Sequence, residues 1–452
     1  MGNTEELVEF ALQLVAKKTG FSLSGIQKVI LRESLLENKK TYALLAEENN
    51  YSESYIKFTV APRLWMLLSQ VLDEKVNKTN FPMLLKQQLA KSAALNSLQI
   101  AETTTATPTT EVPPNCYFIK SPEGQVPLAS YFYIERSNIE ETCYQEILHP
   151  RALIRIKASR KMGKTSLMAR ILDYGSNQNY YTVRLNLYHA GTQVLEKSDR
   201  FLRWFCTNVT RQLSLESKLN DYWDEDMGAL INSTIYFQGY LLKELSHPLI
   251  LALDGVDQLF EYPEVASDFF ALLRSWYEET KDISVWQKLR IVIAHAVEIY
   301  IPLPTHRSPF NVGLAIELPT FCLEQVQDLA QRHELQLTNP EFEQLMKLTS
   351  GFPYLIRLAL YQSSCLNIPI RTLLQDATKS TGIYQQHLQS QLWNLQQDPK
   401  LAEAFQQILN APMQLEMQVA FKLKSLGLLH LTENQATVSC ELYREYFCNY
   451  FS

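Results

Sequence analysis

Glycine is scarce in this chain, at 14 of 452 residues, and there is no repeat, collagen-like period or long block of like charge. Fibrous and low-complexity architectures are thereby excluded. Cysteine is sparse and scattered: Cys116, Cys143, Cys206, Cys322, Cys365, Cys440 and Cys448 are odd in number and contain no C-x-x-C pair. That pattern fits neither a disulfide framework nor a zinc site, and reads as reduced core cysteines of a cytosolic protein. No apolar run approaches a membrane span, and Glu5, Glu6 and Glu9 stand where a signal peptide would be basic. A soluble, cytoplasmic protein with no membrane partner is expected. Positive charge is not in excess either. A net charge of −6 excludes coating of nucleic acid by bulk charge, but leaves room for a small basic face on one domain. The histidines show no metal-ligand spacing, and no protease, nuclease or TIR-like effector constellation is visible. What remains is ordinary globular composition, 46% hydrophobic and 20% charged, at a length that suggests about three domains.

Against that background residues 153–172, LIRIKASRKMGKTSLMARIL, stand out as a short buried strand, a tight loop and a helix. Ala158, Ser159, Arg160, Lys161, Met162, Gly163, Lys164 and Thr165 fit the phosphate-binding pattern G-x-x-x-x-G-K-[ST] at every position but the first, where alanine replaces glycine. Gly163 lets the backbone approach phosphates, and the amides from Gly163 to Ser166 face an anion at the helix start. Lys164 would reach the β- and γ-phosphates, and the Thr165 hydroxyl would sit on Mg²⁺. About ninety residues on, HPLILALDGVD is a continuous apolar run, suited to a strand buried on both faces of a parallel sheet. The acid at its C-terminal end, Asp254, lies where such sheets bind ligands and would hold the Mg²⁺ water shell. The next strand, 289–295, ends on His295, which is either a polar sensor of the γ-phosphate or a core histidine. Arg307, on a loop, is a candidate arginine finger acting across subunits.

Residues 1–100 form a helical block, with helices expected at 6–15, 22–36, 41–49 and 52–72. The last two are joined by Asn49-Asn50-Tyr51, with Ser52 as N-cap, in the order of a helix-turn-helix. If this block touches DNA, Ser52, Ser54, Tyr55, Lys57 and Arg63 are the exposed candidates, positioning phosphates more than reading bases. Glu47, Glu48 and Glu53 flank the same turn, where a phosphate would approach, and a protein partner is the equal alternative. Trp65 and its leucine neighbours read as core. Residues 101–115, AETTTATPTTEVPPN, are a Thr/Pro-rich linker that cannot bury a core. An ATPase core is expected at 116–318, a helical lid at 319–385, and helices followed by a hairpin at 386–452, in the order of a winged helix. Helices are further expected at 141–148, 199–215, 232–245, 323–333, 341–349, 400–409 and 414–426, and a strand at 181–187.

The order of these motifs resembles the bacterial AAA-like domain family, an α/β P-loop NTPase core that carries an N-terminal helix-turn-helix of the kind associated with vWA-MoxR systems. The helix-turn-helix stretch is similar to sigma-region-four modules as well. Ser350-Gly351-Phe352-Pro353 resembles the G-x-P element of STAND ATPases, which implies that Pro353 lies near the nucleotide. The helical lid followed by a winged helix resembles both STAND and origin-recognition-type ATPases. The resemblance further implies ATP over GTP, and places Tyr133, Ile134 and Arg136 near the base or ribose. Many AAA+ relatives carry glutamate directly after the acid of this strand. Here Gly255 follows Asp254, and Asp257 is the next acid able to act through a water, so slow hydrolysis is expected. Three functions are consistent with these features: an ATP-dependent switch whose N-terminal module carries the output to DNA or a signalling protein, an ATPase of the loader or transposition-regulator class oligomerising on DNA, and a hydrolysis-dead scaffold. Nucleotide-dependent self-association accompanies either of the first two.

Overall fold

The computed structural model describes residues 121–296, 307–432 and 435–451. In the N-terminal part it describes residues 7, 8, 10–12, 14, 15, 25–35, 40–48, 61–72, 74, 76–78 and 80–88. Contacts divide the chain into two units, Met1–Lys120 and Ser121–Ser452.

In the first unit the helices Gly25–Ser34, Tyr42–Glu48 and Ala61–Leu72 surround a core that includes Ile30, Leu31, Leu45, Leu64, Leu68, Val71 and Phe81. The apolar positions of the last helix, Leu64, Leu68 and Val71, recur at three and four, which is what one buried helical face requires. Trp65 packs 5.9 Å from the Phe81 ring and donates its indole N–H to the Tyr42 hydroxyl at 3.0 Å, in line with a core role. The turn of the expected helix-turn-helix, with Ser52, Ser54, Tyr55 and Lys57, lies outside the described residues, as does the linker. Arg63 falls on the helix Ala61–Leu72, and its side chain is outside the description.

The second unit is built on a five-stranded sheet: β1 (Leu153–Lys157), β2 (Tyr181–Asn186), β3 (Leu249–Asp254), β4 (Leu289–His295) and β5 (Leu314–Glu317). The order is β2-β3-β4-β1-β5, and every pairing is parallel. Strands β3 and β4 are buried along their whole length, which explains their unbroken apolar runs. Their side chains still alternate between faces. Leu249, Leu251 and Leu253 join an aromatic core with Phe201, Phe205, Phe237, Phe269 and Trp276, whereas Ile250 and Ala252 join the opposite core. Helices Ser198–Gln212, Ala229–Tyr236 and Pro263–Glu279 supply the aromatic layer. The helix expected at 232–245 is interrupted by a π-helical turn over Phe237–Leu241. Strand β5 was not expected: it is four residues long and two of them are exposed, leaving little apolar pattern to read.

The other face carries α1 (Ile139–Leu148) and α2 (Lys164–Asn177). Its core continues without a break into α3 (Pro353–Leu366), α4 (Gln385–Gln396), the helix Pro399–Asn410, α5 (Met417–Leu426) and α6 (Glu441–Phe451). Between α5 and α6, strands β6 (Leu429–Thr432) and β7 (Gln435–Val438) form an antiparallel hairpin, completing a winged-helix order. The hairpin's expected turn, Glu433-Asn434, is outside the described residues. Among the described residues no helix is long and apolar enough to cross a membrane.

Candidate nucleotide site

Strand β1 feeds the phosphate loop, and α2 begins at Lys164, so the loop amides point out of a helix N-terminus at the carboxyl edge of the sheet. Gly163 has φ 100°, and a Cβ there would lie 3.2 Å from Arg136 Nη2; glycine is needed both for the conformation and for the approach. Ala158, by contrast, is not among the residues with positive φ, so the departure from the loop pattern involves no backbone strain. Lys164 Nζ donates to the carbonyls of Ala158 at 2.9 Å and Ser159 at 3.0 Å. Burial lowers its pKa to about 8, against the opposing pull of Asp257 and Asp254.

The Thr165 hydroxyl donates to Asp254 Oδ2 at 3.0 Å, so two residues 89 positions apart converge on one point. Arg184, on β2, reaches the same oxygen with Nη2 at 2.9 Å and donates Nη1 to Gln125 Oε1 at 2.6 Å. Both Thr165 and Asp254 offer hard oxygen donors, and among the described residues no group of three His, Cys, Asp or Glu forms a self-sufficient metal cage. That donor set fits Mg²⁺, which keeps waters and takes phosphate oxygens to complete its shell.

A cavity of about 610 Å³ opens over this point, within the range of ligand pockets. Lys161, Met162, Gly163, Lys164, Thr165, Ser166 and Asp254 line it together with Tyr133, Ile134 and Arg136. The Tyr133 hydroxyl donates to Glu140 Oε1 at 2.5 Å, and the Arg170 guanidinium lies 3.3 Å from its ring centroid. Burial and then the Glu140 charge push the Tyr133 pKa up. Arg136 donates its N–H to Glu140 Oε2 at 2.9 Å and Nη2 to the Met162 carbonyl at 2.6 Å, which braces the loop from behind.

Pro353, Tyr354 and Arg357 of α3, and Gln386, His387 and Ser390 of α4, also line the cavity. Lys161 Nζ stands 3.8 Å over the Tyr354 ring and 3.3 Å from His387 Nδ1, and His387 Nε2 is 2.7 Å from the Tyr443 hydroxyl on α6. Burial, then the Lys161 charge, depresses the His387 pKa to about 3, so the ring is neutral. An ammonium can only donate, which assigns Nδ1 as acceptor and Nε2–H as the donor to Tyr443. The main chain makes a second link: Arg160 N–H donates to the Ser425 carbonyl on α5 at 3.0 Å.

The remaining sequence candidates lie away from the cavity lining. Ala158 and Arg160 are on the loop but do not line it. Asp257 Oδ1 accepts the Ala296 N–H at 2.8 Å, tying the turn after β3 to the end of β4. His295 is buried at the end of β4 with its ring edge-on to Phe310 at 5.3 Å. Arg307 is exposed and outside the lining. Gly255 has φ 70°, and a Cβ there would stand 2.5 Å from the Tyr188 ring, so the position after Asp254 is closed to glutamate without displacing that ring.

Sequence reasoning passed over Gln125, Arg184, Tyr188 and His387. Only Arg184 left a signal: it alternates onto the same face as Asn186, near the carboxyl end of the strand that pairs with β3.

Residues 121–449 match the profile of the AAA-like domain, over nearly three quarters of the chain. The chain belongs to the AAA-like domain family. Residues 2–88 match the N-terminal helix-turn-helix of vWA-MoxR associated proteins. Among curated proteins none matches the chain. Solved structures similar to this AAA-like chain include the Walker-type ATPase PABY2304 of Pyrococcus abyssi, 14% identical over 70% of this chain and 96% of that one, with a TM-score of 0.48. The ORC2 protein of Aeropyrum pernix, solved as ADPNP–ADP complexes, is 14% identical over 71% and 97%, with a TM-score of 0.38. Cdc6p from Pyrobaculum aerophilum is 12% identical over 72% and 98%, with a TM-score of 0.35.

Proposed function

We propose that this chain is an ATP-binding molecular switch with slow hydrolysis. Its phosphate-loop cavity sets the placement of the winged-helix part, and residues 1–100 carry the output to DNA or a protein partner. In this reading the amides of Lys161 to Ser166 and the Lys164 ammonium take the phosphates. Thr165 and Asp254 would hold Mg²⁺, whose charge would offset the repulsion between the phosphate oxygens. Tyr133, Ile134 and Arg136 face the base or ribose, and Pro353 flanks it.

One observation carries the switch: the phosphate loop is bonded directly to the winged-helix part. The Arg160 N–H to Ser425 carbonyl bond and the Lys161–His387–Tyr443 chain both cross from the loop to C-terminal helices. A ligand shifts a conformational equilibrium only by its differential affinity for two states, and a loop that contacts both phosphate and winged helix supplies that difference. Slow turnover is supported by Gly255 packed beneath Tyr188 and by Asp257 engaged with the Ala296 amide. His295 as γ-phosphate sensor and Arg307 as trans-acting finger remain part of this reading, the first acting through the end of β4 and the second from an exposed turn.

The test is nucleotide content and turnover of purified protein beside Lys164→Ala and Asp254→Ala, with hydrogen exchange of residues 417–438 followed in ADP and ATP. Copurified ADP with little turnover, lost in Lys164→Ala, together with nucleotide-dependent protection of that segment, is expected. Turnover stimulated by DNA, with a steep salt dependence of binding, would favour an oligomeric DNA-bound ATPase instead. Absence of any nucleotide binding would leave a scaffold.

A further inference from the structure

We propose that Arg184 is a positioning residue that competes with Mg²⁺ for Asp254 Oδ2, so that guanidinium and metal exclude one another at that oxygen. The inference rests on the nucleotide-site reading above.

Asp254 Oδ2 accepts from both Thr165 Oγ1 at 3.0 Å and Arg184 Nη2 at 2.9 Å. A carboxylate oxygen offers about two lone-pair sites, and both are engaged. A Mg²⁺ ion or one of its waters can gain that oxygen only when a donor leaves. Arg184 is the donor that can leave without unmaking the rest. Its side chain is 31% exposed while that of Asp254 is 12% exposed. Its second arm is held by Gln125 at 2.6 Å, which acts as a pivot. Gln125 is itself fixed, because its neighbour Val126 donates its N–H to Ser166 Oγ at 2.9 Å on the first turn of α2. A guanidinium that swings off Asp254 therefore stays at the cavity wall, where its planar fork suits a phosphate oxygen.

The charges give the exchange a sign. Arg184 neutralises Asp254, which would otherwise repel phosphates across the cavity. It also repels a divalent cation approaching the same carboxylate. Removing it therefore has two opposed effects: metal-free nucleotide binds less tightly, and Mg²⁺ is gained at lower concentration. A side chain that merely braced β2 would not move these two quantities in opposite directions.

The experiment is fluorescence titration of N-methylanthraniloyl-ADP into the full chain, in EDTA and across a Mg²⁺ series, for wild type, Arg184→Gln and Arg184→Lys. For Arg184→Gln the expected result is affinity in EDTA reduced about 3- to 10-fold and the half-effective Mg²⁺ concentration lowered by a similar factor, as for a charge-assisted bond discounted for solvent. Arg184→Lys, which keeps the charge and loses the fork, is expected to fall between, and it carries the test if Arg184→Gln does not fold. An unchanged or raised Mg²⁺ midpoint in variants that bind nucleotide overturns the competition. A wild type that binds no nucleotide in either condition overturns the underlying site reading instead.

Discussion

The two faces of the central sheet are built on different plans. One is closed on itself: Trp276 lies 4.3 Å from Phe237 and 5.2 Å from Trp286, Phe205 stacks 5.6 Å from Phe237, and all four rings are fully buried. The other face has no such boundary, because its apolar core runs from β1 and α2 into α3, α4 and the winged-helix elements. The cavity opens on that second side. Interlocked aromatic rings make a platform that resists rearrangement, since close-packed interiors transmit strain and do not absorb it. A core shared between a phosphate loop and later helices joins those helices to the loop, which is the connection the proposed switch requires.

The sharpest way to break that contrast is on the closed face. Trp276→Ala removes a buried ring and leaves its indole partner, Thr234 Oγ1 at 3.0 Å, without a donor. A loss of about 3–5 kcal/mol is expected by urea denaturation, equal with and without nucleotide. A loss that nucleotide restores would mean the platform is part of the switch. A smaller effect is expected at Gly255. Gly255→Glu meets a positive φ and the Tyr188 ring, so it should cost about 1–3 kcal/mol and leave ATP turnover no higher than wild type. Pairing it with Tyr188→Ala should recover only the part due to the ring, leaving the cost of the positive φ. A turnover gain in the single variant would show that the ring yields easily.

The mildest test is pH. The Lys164 pKa is lowered to about 8 by burial, and in the proposed reading phosphate binding requires the ammonium. Below that value the affinity should be flat. Above it each binding event must take up a proton, so affinity should fall toward about tenfold per pH unit. Calorimetry in two buffers of different ionisation enthalpy would show the uptake. Flat affinity from pH 7 to 9.5 would mean that burial does not lower the Lys164 pKa into this range.

What could be read from the chain was chemistry that is contiguous or long. Gly163-Lys164-Thr165 carries its geometry in neighbouring positions, and β3 announced itself because burial on both faces needs an unbroken apolar run. The helices that face the core kept their spacing, so most were placed to within a few residues. What could not be read was held by distance. Arg184 meets Asp254 across 70 positions and Gln125 across 59, and Lys161 meets His387 across 226. No local pattern marks such pairs. Nor does sequence reveal that Ala158 tolerates its place because its φ is ordinary, or that Gly255 is glycine because a ring lies above it.

The bond from Arg160 N–H to the Ser425 carbonyl has a property that the side-chain contacts around it lack. Both of its atoms belong to the main chain. Substitution at position 425 leaves the acceptor in place, and at position 160 only proline removes the donor. The tie between loop and winged helix therefore depends on the backbone path and not on side-chain identity. Exchanging either side chain would leave this connection in place, whatever it did to the contacts those side chains make themselves.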